Sequence, residues 1–193
     1  MYKTILLLFM SQIGRQPKAR VTKTPKLNVI KPSAGTITIY TDGSLRREAN
    51  GDVCGYGVYF PGKELKNIAG AFTIEPITNN RAELYAIYRA IKKVEKNMNF
   101  ERIVIFTDSE YSMKATTLWI NGWKKNNWKN AKKKPVENQD LIKKIDELLQ
   151  KHNGKIEIKW TRAHVGTKGN EEADRLANKG ADIYRDQYLP YLK

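Results

Sequence analysis

Cysteine appears once in the 193 residues, at position 54, and histidine only twice. A lone Cys54 excludes an intramolecular disulfide and a cysteine-rich zinc site. It fits a reducing, intracellular compartment and reads as a small core residue. Long apolar runs are missing too. The stretch from Ile5 to Met10 is far too short to span a bilayer, and it has neither the longer apolar region nor the small-residue cleavage site of a secretory signal. Acidic residues are also scarce: 20 Asp and Glu stand against 35 Lys and Arg, for a net charge of +15 and a pI near 9.8. A balance this basic points to a polyanionic partner, which composition alone leaves open between nucleic acid and a membrane surface.

The shortage of acids is concentrated in two places. Met1 to Thr41 holds seven Lys or Arg and no Asp or Glu, with prolines at 17, 25 and 32. This reads either as a disordered basic arm or as an organelle transit peptide. Residues 1–34 are therefore set apart from a domain that begins near Gly35. The second place is residues 121–134, NGWKKNNWKNAKKK, with six lysines, two tryptophans and no acid. A solvated surface helix is the plain alternative. Exposed indoles among cations instead suit a ligand that is both anionic and aromatic, because lysines neutralise phosphates while indole rings stack on sugars or bases.

After Gly35 the alternation of Thr36 to Tyr40 predicts a strand that stops at Asp42-Gly43. Residues 51–60 and 66–73 predict two more, giving an antiparallel meander. From Asn80 to Lys96 the apolar positions Ile87, Ala90, Ile91 and Val94 change to helical spacing, with Thr78 or Asn79 as N-cap. Arg102 to Thr107 reads as a strand buried on both faces. A helix follows to about Ile120, broken at Asn121-Gly122; then come a helix at 139–152, a strand at 155–161 and a helix at 170–181. The order βββ-α-β-α-α-β-α predicts an α/β domain with a mixed sheet flanked by helices.

Several carboxylates conflict with this pattern. Asp42 and Asp108 each end an apolar strand at a Thr-Asp pair, where open α/β sheets place ligands. A turn or helix-cap aspartate is the plain alternative for either one. Glu83 lies four and seven residues before Ile87 and Ala90, on the helix face that must pack on the sheet. Asp174 likewise precedes Ala177 and Ala181 and points inward or to the rim. Four acids converging without cations repel one another unless divalent ions neutralise them. Hard oxygen donors without cysteine or paired histidines select Mg²⁺ or Mn²⁺ over zinc. Two such ions about 4 Å apart suit in-line attack on a phosphodiester.

Taken in order, YTDGS, TNNRAELYAI, FTDSEY, WINGWKKNNWK, VENQDL and TRAHVGTKGNEEADRLA resemble type 1 ribonuclease H across nearly all of residues 35–185. The resemblance implies a ribonuclease H-like mixed five-stranded sheet, three antiparallel strands then two parallel, flanked by helices. It also implies a monomeric endoribonuclease that cuts the RNA strand of RNA/DNA hybrids with two Mg²⁺ ions, Mn²⁺ substituting, and leaves 5′-phosphate and 3′-hydroxyl ends. Asp42, Glu83, Asp108 and Asp174 match its metal-binding catalytic acids. His164, in a Gly-rich loop, matches a histidine that aids proton transfer or product departure; a structural histidine is the alternative.

The basic segment corresponds to the family's protrusion on the DNA strand, with Lys124, Lys125, Lys129, Lys132, Lys133 and Lys134. Trp119, Trp123 and Trp128 match channel aromatics, one of which could be core. Thr78 and Asn138 match a DNA-phosphate pocket, although Pro76 stands where some members carry arginine and implies a weaker grip. Asn50, Asn79 and Asn80 match residues that contact RNA 2′-hydroxyls. No membrane partner is expected. Residues 186–193 read as a C-terminal tail, and the location as cytoplasm or nucleus, the acid-free N-terminus also admitting a mitochondrial address. Two other readings stay open: a catalytically silent hybrid-binding module, and a DNA-directed nuclease or strand transferase on the same fold. Retention of the acids and His164 counts against the first, and the Trp-Lys segment with the asparagines against the second.

Overall fold

The computed structural model describes residues 32–162 and 168–191. Five strands form one sheet in the order β3-β2-β1-β4-β5. They are β1 (Ser33–Glu48), β2 (Gly51–Tyr59), β3 (Ile68–Ala71), β4 (Asn99–Thr107) and β5 (Ile156–Trp160). The first three pair antiparallel, while β1–β4 and β4–β5 are parallel, as the resemblance implies. The buried run Ile103, Val104 and Ile105 confirms that β4 is covered on both faces.

Side-chain alternation along β2 divides the core into two layers. Cys54, Tyr56 and Val58 join the larger cluster with α1 (Asn79–Asn97), whose buried stripe includes Ala86, Ile87, Ala90, Ile91 and Val94. Val53 faces the other way, against Ala181 and Tyr184 of the final helix, α5 (Lys168–Gln187). Between them Gly55 and Gly57 let α5 lie almost on the strand. A Cβ at Gly55 would stand 2.1 Å from the Ala181 nitrogen, and one at Gly57 2.2 Å from the Ala173 carbonyl oxygen.

Several boundaries differ from the sequence-based expectations. β1 does not stop at Asp42-Gly43: it continues to Glu48, because β2 pairs with it from Tyr40↔Tyr59 to Glu48↔Gly51 and satisfies its backbone. It also starts at Ser33, paired with Asn99, two residues before Gly35. Nor does the helix after β4 break at Asn121-Gly122. α2 (Glu110–Lys114) passes through a π-helical turn (Ala115–Trp119) into α3 (Ile120–Lys125). Thr116 and Thr117 donate their hydroxyls back to the Ser112 and Met113 carbonyls, and threonine bonds of this kind deform a helix. Ile120 and Trp123 on the core then hold the following turn, leaving Gly122 in open space. α4 spans Gln139–Lys151. Past residue 185 the chain is not a plain tail, since α5 reaches Gln187, a 3₁₀ turn covers Leu189–Tyr191, and Leu189 packs on the Val53 cluster. Residues 1–31 and His164 lie outside the described residues. Among the described residues no helix is long and apolar enough to cross a membrane.

Candidate active site

The register of the parallel strands builds the site. β1 and β4 pair in step as far as Thr41↔Thr107, so the next residues, Asp42 and Asp108, emerge side by side. Opposite them, Gly43 allows the first turn of α1 to descend: a Cβ there would meet the Glu83 nitrogen at 2.5 Å. Thr78 caps that turn, its hydroxyl accepting from the Arg81 N–H at 3.3 Å. The result is a set in which carboxylate oxygens of Asp42, Glu83 and Asp108 all lie within 4.8 Å of one another.

Asp42 and Glu83 are only 5% and 4% exposed. Burial, then the charges of Asp108 and Asp174, push the Asp42 carboxyl up to about 7 against a stabilising hydrogen bond with Glu83. Burial drives Glu83 well above the usual carboxylate range, followed by repulsion from Asp42 and Asp108. Glu83 Oε2 is buried and has no hydrogen-bond partner among the described residues. These are the features of a cation site: all donors are oxygen, two acids are held back from ionising, and one buried oxygen lacks a partner among the described residues.

Asp174 occupies the rim. It is half-buried on α5, outside the 4.8 Å set, yet near enough to Asp42 to raise its carboxyl. The Asn178 amide donates to Asp174 Oδ1 at 3.1 Å and accepts from the Ser44 hydroxyl at 2.9 Å, which ties α5 to β1 here. Asn170 is a further residue of the site, not among those the sequence motifs assign. It is 2% exposed, its Nδ2 donates to Asp108 Oδ2 at 2.9 Å, and its Oδ1 has no partner among the described residues. The available signal was spacing, since Asn170 precedes Asp174 by four residues and shares its helix face. Trp160 also reaches the site, donating from Nε1 to the Asp108 carbonyl at 3.0 Å.

A family model described as RNase H matches residues 34–182. The ribonuclease H of Polynucleobacter asymbioticus is 41% identical over 155 residues, covering 80% of this chain and 92% of that protein. That of Nitrosomonas eutropha is 37% identical over 158 residues, covering 79% and 94%. The chain belongs to the ribonuclease H family. Among solved structures it is similar to LC9-RNase H1, a type 1 RNase H with the type 2 active-site motif, at TM-score 0.57 and 26% identity over 83% of this chain and 75% of that one. It is also similar to the foamy viral protease-reverse transcriptase in complex with RNA/DNA hybrid, at TM-score 0.60 and 26% identity over 86% of this chain and 22% of that one. A ribonuclease H is an enzyme, and the acid cluster lies within the matched residues.

The segment resembling the ribonuclease H protrusion is folded back on the body. Trp123 and Trp128 are half-buried on the core and are not the exposed pair the sequence suggested; Trp119, at 39% exposure, and Leu118, at 61%, are the open apolar side chains. Trp128 holds a left-handed φ of 56°, which a bulky residue rarely adopts. It is fixed by its N–H to the Trp123 carbonyl, by the Val136 N–H to its own carbonyl, and by the Lys143 ammonium 4.7 Å from its ring centroid. Lys124 is paired with Asp146 at 2.5 Å, whereas Lys125, Lys129, Lys132, Lys133 and Lys134 are exposed. The Asn138 amide donates to the Tyr111 hydroxyl, and Arg81 bridges to Asp140 by two 2.8 Å bonds, which draws the N-termini of α1 and α4 together. Asn79 accepts from the Leu45 N–H at 3.1 Å, and Asn80 is exposed. Asn50 sits in the β1–β2 turn, eight residues beyond Asp42 and so up to about 26 Å of extended chain from it.

Proposed function

We propose that the chain hydrolyses the RNA strand of RNA/DNA hybrids at a divalent-metal centre held by Asp42, Glu83 and Asp108, with Asp174 completing it from α5. The observation that carries this reading is the three-carboxylate set, two of them buried, with Glu83 Oε2 unpartnered among the described residues. A module that only bound nucleic acid would gain nothing from acids that repel phosphate. The donors fit two Mg²⁺ ions, with Mn²⁺ able to replace them. When bound, such ions supply charge neutralisation and Lewis acidity toward a phosphodiester.

The chain's own residues position and exclude. Asn170 orients Asp108 through its Oδ2, and Asn178 steadies Asp174. His164 moves a proton to or from the reacting oxygens. Water adds at phosphorus as the bond to the 3′ oxygen breaks, which leaves 5′-phosphate and 3′-hydroxyl ends. Thr78 and Asn138, where two helix N-termini converge, take a DNA phosphate. The exposed lysines of the protrusion hold the same strand, Trp119 lines its path, and Trp123 and Trp128 stiffen the channel wall. Asn50, Asn79 and Asn80 read 2′-hydroxyls.

Incubation of the chain and its Asp108→Asn variant with labelled hybrid, RNA duplex and DNA duplex in Mg²⁺ tests this. Cleavage of hybrid RNA alone, lost in the variant with binding retained, is expected. Equal cutting of the DNA duplex would refute hybrid specificity.

A further inference from the structure

On the outer side of α1, Tyr85, Tyr88, Arg89, Lys92, Lys93 and Lys96 succeed one another at three- and four-residue spacing and form one stripe. The stripe borders the Ala86, Ile87, Ala90, Ile91 and Val94 face that packs on the sheet, and Tyr85 and Tyr88 are partly packed on that core themselves. With Lys66 and Ile68, from the sheet edge at β3, it walls a groove of about 1010 Å³. By helical rise the groove runs from about 3 to about 20 Å past the level of Glu83, on another side of the helix.

Its cations exceed its acids. Glu95, the one carboxylate in the wall among the described residues, already accepts from Lys92 and Lys151. Lys66, Arg89 and Lys93 form no ion pair with an acid among the described residues. The Lys93 ammonium is held below its usual range by burial, then by Arg89 and Lys66. Arg89 is fixed over the Tyr56 and Tyr85 rings, 5.6 and 5.7 Å from their centroids, and donates to the Tyr85 hydroxyl at 3.2 Å. Tyr88 stands half-exposed beside them, its ring 6.0 Å from that of Tyr85. The groove thus sets crowded positive charge beside a tyrosine ring that is only partly buried. An acidic peptide would meet the charge and leave the ring unused, and a duplex keeps its bases stacked inside. An unpaired strand uses both.

We propose that this groove is a second nucleic-acid site that takes single strand, with phosphates on Lys66, Arg89 and Lys93 and a base against Tyr88. It extends the binding surface away from the acid cluster, toward the unpaired flank of a partly duplex substrate.

The test uses the full chain in EDTA, with anisotropy of a labelled 12-nucleotide deoxyoligonucleotide and of a blunt hybrid. Replacing Lys66 and Lys93 by serine, which also relieves their mutual repulsion, is expected to flatten the single-strand salt slope by about 1.4, at roughly 0.7 per lost phosphate contact. Tyr88→Ala, neutral in charge, is expected to weaken single-strand binding by roughly 5- to 150-fold and to have no effect on an abasic strand. Blunt-hybrid affinity stays within twofold throughout. Unchanged single-strand binding in variants that melt like the wild type overturns the proposal, as does a parallel loss of hybrid binding, which would make the groove part of the duplex track. Competition by an acidic peptide indifferent to Tyr88→Ala would reassign the groove to a protein ligand. Adenosine monophosphate or inorganic phosphate binding as tightly as the strand would reassign it to a free anion.

Discussion

Replacing Asp42 by asparagine should abolish cleavage and, without metal, make the protein more stable. Asp42 is buried beside Glu83 and Asp108, and its carboxyl is pushed from 3.8 to about 7, chiefly by burial. A displacement of that size corresponds to on the order of 4 kcal/mol against the charged form. Because Glu83 shares a hydrogen bond with it, part of the relief is transferred, and a gain of about 2–4 kcal/mol is expected at pH 8. The folded value lies above the unfolded one, so folding takes up a proton between them. Below pH 3.8 both states are protonated and asparagine gains nothing; the gain grows as pH rises toward 7 and is constant above it. Thermal unfolding followed by circular dichroism in EDTA would show a rise of about 5–15 °C at pH 8, shrinking toward zero near pH 3.5. Added Mg²⁺ should stabilise the wild type and narrow the difference, because a ligand bound only by the native state shifts the equilibrium toward it. A pH-independent gain, or a loss at pH 8, would refute the claim that buried charge is what Asp42 contributes to the metal-free fold.

Substituting alanine at Lys129, Lys132, Lys133 and Lys134 should flatten the salt dependence of hybrid binding by up to about 3.6, at roughly 0.9 per phosphate. Lys124→Ala should change it little, because Asp146 already pairs with that ammonium; binding isotherms at several salt concentrations separate the two. Asn170→Ala should lower Mg²⁺ affinity or turnover by about 10- to 100-fold with little change in melting temperature, as loss of a bond that orients a ligand does. Gly55→Ala should destabilise by about 3 kcal/mol or more in urea titration, since backbone atoms of α5 stand 2.1 and 2.4 Å from the new carbon and neither can rotate aside.

The acids were legible because residue type and position disagree. Glu83 falls on an apolar helical stripe, and Asp42 and Asp108 end apolar strands; such conflicts mark sites where stability has been given up. Asn170 produced no such conflict, since asparagine near a helix start is ordinary. The π-helical turn was hidden for another reason. Apolar periodicity reports which face is buried, while the turn is set by Thr116 and Thr117 hydroxyls competing for backbone carbonyls. Asp42-Gly43 reads locally as a turn, and only pairing with β2, a non-local fact, carries β1 through it. The half-burial of Trp123 and Trp128 was hidden by the lysines around them, because what covers the indoles is non-local: both pack on the core, and the Lys143 ammonium of α4 sits over the Trp128 ring.

Like charges can be held this close only if something rigid prevents their separation, and the strand register does so. Thr41 and Thr107 are fully buried and paired immediately before the two aspartates. Ile37 and Ile39 of β1 and Ile103 and Ile105 of β4 anchor the same ladder in the core. Slipping β1 by one residue would relieve the repulsion between Asp42 and Asp108, but it would turn Ile37 and Ile39 to the opposite face, at about 1.5–3 kcal/mol for each. The core therefore fixes the acids at a separation they would not choose, so the site exists before any cation enters it.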